Sequence, residues 1–246
     1  MALIDLANPT RFVALVERVL PWLVAATLVA FTFGLWGTYL APDDYQQGAT
    51  VKIMFIHVPN AVLSSFVWGI MSVAALGTLV WRHPLADVAA KCAAPLGAAF
   101  TFLALVTGSL WGRPMWGTYW VWDARLTSVL VLFIMYLAVI ALWRTVDDPS
   151  HAGRAAAILT LVGAINLPII KFSVDWWNTL HQPSSGFLVG DLFGTSQIDL
   201  SLKIPLYIMF LAFTLLFITL HLAAMRNEIM RRRVRTLMLT QAERAA

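Results

Sequence analysis

The sequence predicts an all-α fold, a polytopic membrane protein of six transmembrane helices with both termini on one side. Three observations predict it. Of the 246 residues, 60% are hydrophobic and only 12% charged, about half the ~25% charge share of a soluble domain. Mean hydropathy is +0.76. Between the charges lie six apolar stretches, each near the ~20 residues that cross a ~30 Å hydrocarbon layer as a helix.

The six stretches are residues 19–42, 53–81, 92–112, 126–143, 155–174 and 204–225. The fourth is short, which a slightly thinned bilayer tolerates. The fifth carries one charge, Lys171, near its end. The first run is too long for a cleavable signal peptide, and no small-residue cleavage site precedes a soluble domain. An even number of spans returns both termini to one side. That side then holds Arg11, Arg18, Arg82, Lys91, Arg144, Arg154 and the tail residues Arg226, Arg231, Arg232, Arg233, Arg235 and Arg244, 12 of the 17 basic residues. Lys52, Arg113, Arg125, Lys171 and Lys203 fall on the other. Because positive charge is retained on the cytoplasmic side, both termini are expected there. Trp22, Trp81 and Trp143 fall at inner ends and Trp36 near an outer end, where indole rings prefer to sit. The chain reads as one domain, 1–246, whose basic tail, 226–246, anchors the last helix and attracts anionic lipid.

Several activities lose their usual signatures. The one cysteine, Cys92, has no internal partner, and no C-x-x-C-H site for covalent haem is present. Neither a phosphate-binding loop, a G-x-G-x-x-G fingerprint nor an H-E-x-x-H zinc motif occurs. The net charge of +4 resides in loops and the tail, as a membrane protein places it, and gives no reason to expect nucleic acid.

Unusual residues concentrate in the three outer segments, 43–52, 113–125 and 175–203. The stretch about 111–128 holds four of the 11 tryptophans, Trp111, Trp116, Trp120 and Trp122. Gly112, Pro114 and Gly117 argue against an uninterrupted helix through it. A belt of interfacial rings needs one tryptophan per helix end, not four in one connection. An apolar platform at membrane level, able to stack on a flat ligand, explains the cluster better. Asp123 either caps and pairs locally or supplies charge at the platform's edge. Arg125 either grips a carboxylate through two N–H bonds or marks the water line.

Of the five histidines, His83 and His151 lie in inner loops and His221 near the inner end of the last span, where structural roles suffice. His57 differs. It stands just before Val58-Pro59, and proline biases the chain before it away from helix, so the span is read as starting at Asn60 with His57 at its outer mouth. His181 lies just beyond the fifth span at a similar depth. Each alone is most simply a hydrogen-bonded loop residue. Together, flanking a tryptophan-rich segment, they fit a pair of axial ligands to the metal of a flat macrocycle. Two nitrogens without a third ligand suit haem better than zinc.

The stretch Trp116-Gly117-Thr-Tyr-Trp120-Val-Trp122-Asp123-Ala-Arg125-Leu126-Thr127 resembles the tryptophan-rich "WWD" signature of the haem-handling proteins of cytochrome c assembly. Lys52-Ile-Met-Phe-Ile-His57-Val-Pro59 and Asp175-Trp-Trp-Asn-Thr-Leu-His181-Gln182 are similar to that group's two histidine-bearing outer segments. Six spans and a basic tail match its haem exporter protein C (cytochrome c maturation protein C) family over essentially the whole chain. One departure is Pro183-Ser184, where a more polar turn is usual. The resemblance implies a bacterial inner-membrane protein that holds haem b transiently on the periplasmic side, with His57 and His181 as axial ligands. Trp116, Gly117, Trp120, Trp122, Asp123 and Arg125 would belong to the cradle around the porphyrin. It implies delivery of haem to a periplasmic haem chaperone, cytochrome c maturation protein E. It also implies a complex with an ATP-binding cassette transporter pair, cytochrome c maturation proteins A and B, and a small single-span protein, D. The chain itself would position haem and not be an enzyme.

Alternatives remain open at this point. A b-type electron-transfer subunit usually sets its histidines on facing helices within the span. A solute channel wants ionisable residues along a path, and only Lys171 approaches one. Passage of haem through this chain lacks an obvious polar route. Gly108-x-x-x-Gly112 serves either close helix approach or chain reversal. Asn166 and Pro168 interrupt the fifth span, either for packing or to shape a lateral opening.

Overall fold

The helix starts are set by short polar side chains. Asn8 accepts from the main-chain N–H groups of Thr10 (2.9 Å) and Arg11 (3.4 Å) with Pro9 behind it, which satisfies donors that a helix start otherwise leaves open. Asp148 does the same for Ser150 (2.7 Å) and His151 (2.9 Å). The N–H groups of His151 and then Ser150 hold the Asp148 carboxyl below its usual range. In the computed structural model, which describes residues 7–181 and 198–245, seven α-helices result. They are α1 (Pro9–Leu40), α2 (Met54–Leu79), α3 (Ala86–Trp116), α4 (Ala124–Thr145), α5 (Pro149–Gly163), α6 (Asn166–Trp176) and α7 (Leu200–Ala245), with a 3₁₀ turn, Ala49–Ile53, before α2. Counting the 3₁₀ turn with α2, and α5 with α6, six segments are long and apolar enough to cross a membrane. Among the described residues the only strand-like pairing is an isolated bridge between Asp44 and Gly48.

Two boundaries differ from the sequence reading. The span expected to start at Asn60 starts at Met54, so His57 sits in the first turn of α2. Proline at position 59 removes one N–H and only biases its neighbours; burial of Val51, Met54 and Phe55 in the core outweighs that bias. Likewise α3 does not end at Gly112 but runs through Pro114 to Trp116. Gly117, at φ 76°, then closes it with its N–H on the Arg113 carbonyl (3.0 Å), a left-handed cap that glycine adopts without steric cost. The interruption expected at Asn166 and Pro168 is present, and the fifth span is two helices. Around Ala164 the bonds tighten, Ala164 N–H reaching both Thr160 (3.0 Å) and Leu161 (3.2 Å), and Pro168 has no N–H with which to continue the α5 ladder. Asn166 ties the new start to α4 by donating to the Ser128 carbonyl (2.8 Å).

Helix α2 is central, packing on α3, α5 and α7, while α1 pairs with α7 along its length. In lipid, apolar side chains gain nothing from leaving the solvent, so contact rests on small residues and interhelical hydrogen bonds. Both are present. Ala90, Ala93, Ala94, Gly97, Ala98, Thr101 and Ala104 form the buried face of α3. Trp68 donates to the Thr160 carbonyl (3.0 Å), Tyr136 to the Ser64 carbonyl (2.7 Å), and Thr27 meets Thr219 (3.0 Å). Leu28, Phe33, Val73, Phe102 and Leu211 are exposed, as a lipid-facing exterior requires.

The end holding both termini is bound by charge. Glu228 accepts from Lys91 (2.9 Å), Arg231 (2.8 Å) and Arg232 (2.9 Å), and Arg232 also meets Asp87 (2.7 Å). Lys91 lies 4.8 Å from the Trp143 ring centre. Of the tail arginines, Arg226 (to Glu17), Arg231 and Arg232 are therefore engaged within the chain, and Trp143 packs under cations instead of standing alone in a belt. Beyond Met225, α7 continues for roughly 30 Å at 1.5 Å per residue.

Tyr136 fills the space that a side chain at residue 97 would need: a Cβ there would collide with its ring. Gly97→Ala is expected to cost about 1–3 kcal/mol through overpacking, read as a lower Tm in detergent. Gly69→Ala, where nothing lies within 4 Å of the added carbon, should leave Tm unchanged or raise it.

Candidate functional site

At the end of the bundle opposite the long tail, the final turns of α3 lie beside the first turn of α2, and a cavity opens between them. It is walled by Gln47, by His57 and Ala61 of α2, and by Ala104, Gly108, Trp111, Gly112 and Trp116 of α3. Trp120, Arg125 and Val129, Ile170 of α6, and His181 complete it. Its volume, open mouth included, is about 930 Å³.

His57 is held by α3. Its Nδ1 lies 3.1 Å from the Ala104 carbonyl and 3.1 Å from the Thr107 hydroxyl, and its ring meets Trp111 edge-on at 5.7 Å. Trp111 is clamped in turn, its Nε1 donating to Gln47 Oε1 (2.9 Å). The first outer loop places Gln47: Asp44 Oδ1 accepts from the N–H groups of Gln46 and Gln47 (2.9 and 2.8 Å), and Gly48 turns at φ 56°. On the other side His181 approaches Trp116, ring centres 6.3 Å apart. Each histidine thus has a tryptophan of α3 beside it, and both open on one cavity.

Of the roles the sequence offered the glycine pair, Gly108 takes the close approach between α2 and α3. A Cβ at Gly108 would lie 2.9 Å from His57 Cε1, and one at Gly112 2.9 Å from Trp116 Cε3. Both glycines clear room for rings. Sequence reasoning missed this, although a signal existed: Ala104, Gly108, Gly112 and Trp116 form one i, i+4 row on α3, small residues leading to a large one.

The other sequence-predicted residues divide. Trp120 is in the cavity wall, its Nε1 buried with no protein partner among the described residues. Trp122 packs on Trp120 at 5.5 Å but is 77% exposed and outside the wall. Gly117 also lies outside, as the cap of α3. Asp123 caps α4, Oδ1 accepting from Leu126 N–H (2.8 Å), while Oδ2 is buried without a partner among the described residues. Arg125 lines the cavity and is tethered to α6, its Nε donating to Ser173 (2.7 Å) and Nη2 to the Lys171 carbonyl (3.4 Å). Arg113 donates to the Gly117 carbonyl and lies over the Tyr119 ring at 5.5 Å, folding the loop from outside the cavity. Lys203 is in the first turn of α7. Pro183-Ser184 and Gln182 lie outside the described residues.

The remaining histidines stand apart. His83 Nδ1 accepts from Leu85 N–H (3.3 Å), His151 is in the first turn of α5, and His221 stacks on Phe217 at 5.3 Å. Among the described residues no three His, Cys, Asp or Glu side chains converge as a metal cage. Two imidazoles on an aromatic cavity suit a metal that brings its own equatorial ligands.

Residues 2–240 match the family described as "Heme exporter protein C". The chain is similar to Heme exporter protein C of Bradyrhizobium diazoefficiens, 76% identical over 246 residues, covering all of this chain and 92% of the relative. It is 50% identical over 227 residues to the protein of that name from Escherichia coli K12, covering 92% of this chain and 90% of the relative. To that of Paracoccus denitrificans it is 42% identical over 240 residues, 97% and 98% of the two chains.

Proposed function

The chain belongs to the heme exporter protein C family, and from that premise we propose that it holds haem at the outer rim of the inner membrane and presents it for c-type cytochrome maturation. The observation that carries this is the shared cavity: His57 from α2 and His181 from beyond α6 open on it together, with Trp111, Trp116 and Trp120 in its wall. Haem is the cargo, an apolar disc with an iron at its centre and two carboxylates at one edge. The tryptophans bury the disc; at ~25 cal/mol per Å², about 200 Å² of apolar contact contributes roughly 5 kcal/mol before ordering costs. His57 and His181 take the two axial positions and fix the plane of the ring. Arg125, held at the wall by Ser173, meets a propionate.

Sidedness follows from charge. The end with both termini carries 12 of the 17 basic residues and is cytoplasmic by the positive-inside rule, so the cavity faces the periplasm. Haem b enters there and is bound transiently. A site at the bundle's rim leaves an edge of the disc reachable by a second protein, which a cavity closed inside the bundle would not. The recipient is the haem chaperone, cytochrome c maturation protein E, with Trp122 on the surface it meets. The transporter subunits, cytochrome c maturation proteins A and B, and the small protein D complete the assembly. This chain contributes orientation to its partner's bond formation and is not itself an enzyme.

Three outcomes are expected. His57→Ala and His181→Ala proteins purified in detergent should lose bound haem or its six-coordinate low-spin spectrum; visible spectra identical to the parent in both would defeat the ligand assignment. Gly108→Ala should push His57 off α3 and lower haem occupancy, measured as haem per protein, while Gly69→Ala leaves it unchanged. Trp122→Ala should retain haem yet transfer it more slowly to added apo-chaperone, followed by covalent haem on the chaperone in denaturing gels.

A further inference from the structure

The protonation of His57 can be read from its neighbours. Two oxygens stand at the same 3.1 Å from Nδ1, the Ala104 carbonyl and the Thr107 hydroxyl. A carbonyl only accepts. The hydroxyl has its own acceptor, donating to the Leu103 carbonyl at 2.6 Å, a turn back along α3, so toward His57 it offers a lone pair. An unprotonated Nδ1 would face two acceptors; a protonated one satisfies both. Nδ1 therefore carries the proton, and Nε2 holds the lone pair. Gly108 completes the cradle, because only a residue without Cβ lets the ring lie this close to α3.

We propose that Thr107 is a positioning residue for haem. With the Ala104 carbonyl it fixes the Nδ1–H tautomer of His57, presents Nε2 to the iron and strengthens the imidazole as a donor. Hydrogen bonds of this kind orient histidine ligands and raise their basicity, and their loss typically costs about 10- to 100-fold in metal affinity. Thr107 lies outside the tryptophan-rich segment and outside the cavity wall, so it acts on haem only through His57. The proposal rests on the reading of His57 as an axial ligand.

The test compares Thr107→Val, Thr107→Ala, Thr107→Ser and His57→Ala with the parent. Each detergent-purified protein is titrated with haemin, and EPR spectra and midpoint potentials are recorded on the loaded forms. Thr107→Val is expected to bind about 10-fold or more weakly, with altered low-spin g-values and a more positive potential, and Thr107→Ala to move the same way with less demand on packing. Thr107→Ser, which keeps the oxygen, should restore affinity, g-values and potential. In the ligand-free parent, ¹⁵N NMR should report His57 protonated at Nδ1. Val and Ala variants with parental affinity, g-values and potential would overturn the proposal, as would a Ser variant no better than Val, or an Nε2-protonated His57. His57→Ala separates the two levels. An unchanged spectrum there removes the ligand reading itself, whereas loss of haem there beside parental Thr107 variants removes only Thr107.

Discussion

A flat ring can rest against a helix only where that helix lacks side chains, and the site depends on this constraint at the contact between α2 and α3. Ala104 and Gly108 present a methyl and bare backbone to His57, and the alanines and Gly97 farther along α3 let it pack closely on its neighbours. The same closeness lets a main-chain carbonyl, already bonded within its own helix, use a second lone pair on a neighbouring ring. Helix packing and ligand orientation are thus one feature: widening the α2–α3 contact would loosen both.

The spans are legible in the sequence because a hydrocarbon layer imposes a length, and charges mark where it stops. Boundaries are less legible because proline and glycine rules describe local bias. At Pro59 one missing N–H is outweighed by buried neighbours, and at Pro114 the helix runs on to the Gly117 cap. The break near Ala164 is marked in the sequence by Asn166 and Pro168, but the contact that fixes it is not. The break arises from Pro168 four residues later together with the Asn166 contact to α4, and a contact between elements cannot be read from either one alone.

The site divides in the same way. His57, His181 and the tryptophans attract notice because their types are rare and their placement odd for a membrane span. Gln47, Thr107, Gly108 and Gly112 do not, since each acts on a ring contributed from elsewhere: Gln47 on Trp111, Thr107 and Gly108 on His57, Gly112 on Trp116. Their residue types are ordinary for a loop or a lipid-embedded helix, so only the fold reveals them. The charges teach the converse. Arg113, Arg231 and Arg232 look available in the sequence, yet they are engaged by a loop carbonyl, by Glu228, and by Glu228 with Asp87.

The two halves of the cavity are held by different contacts. His57 lies on a helix packed against three others, inside a ring of contacts from α3 and the first outer loop. His181 follows α6, a short helix that packs on α4 and is secured there by the Asn166 bond to Ser128 and the Arg125 bond to Ser173. A hydrogen bond contributes about 1 kcal/mol net, far less than the burial that fixes α2. In the proposed two-histidine site, His57 would keep the cargo in register from the helix core, and Arg125, bonded to α6 and standing in the wall, joins the two sides of the cavity.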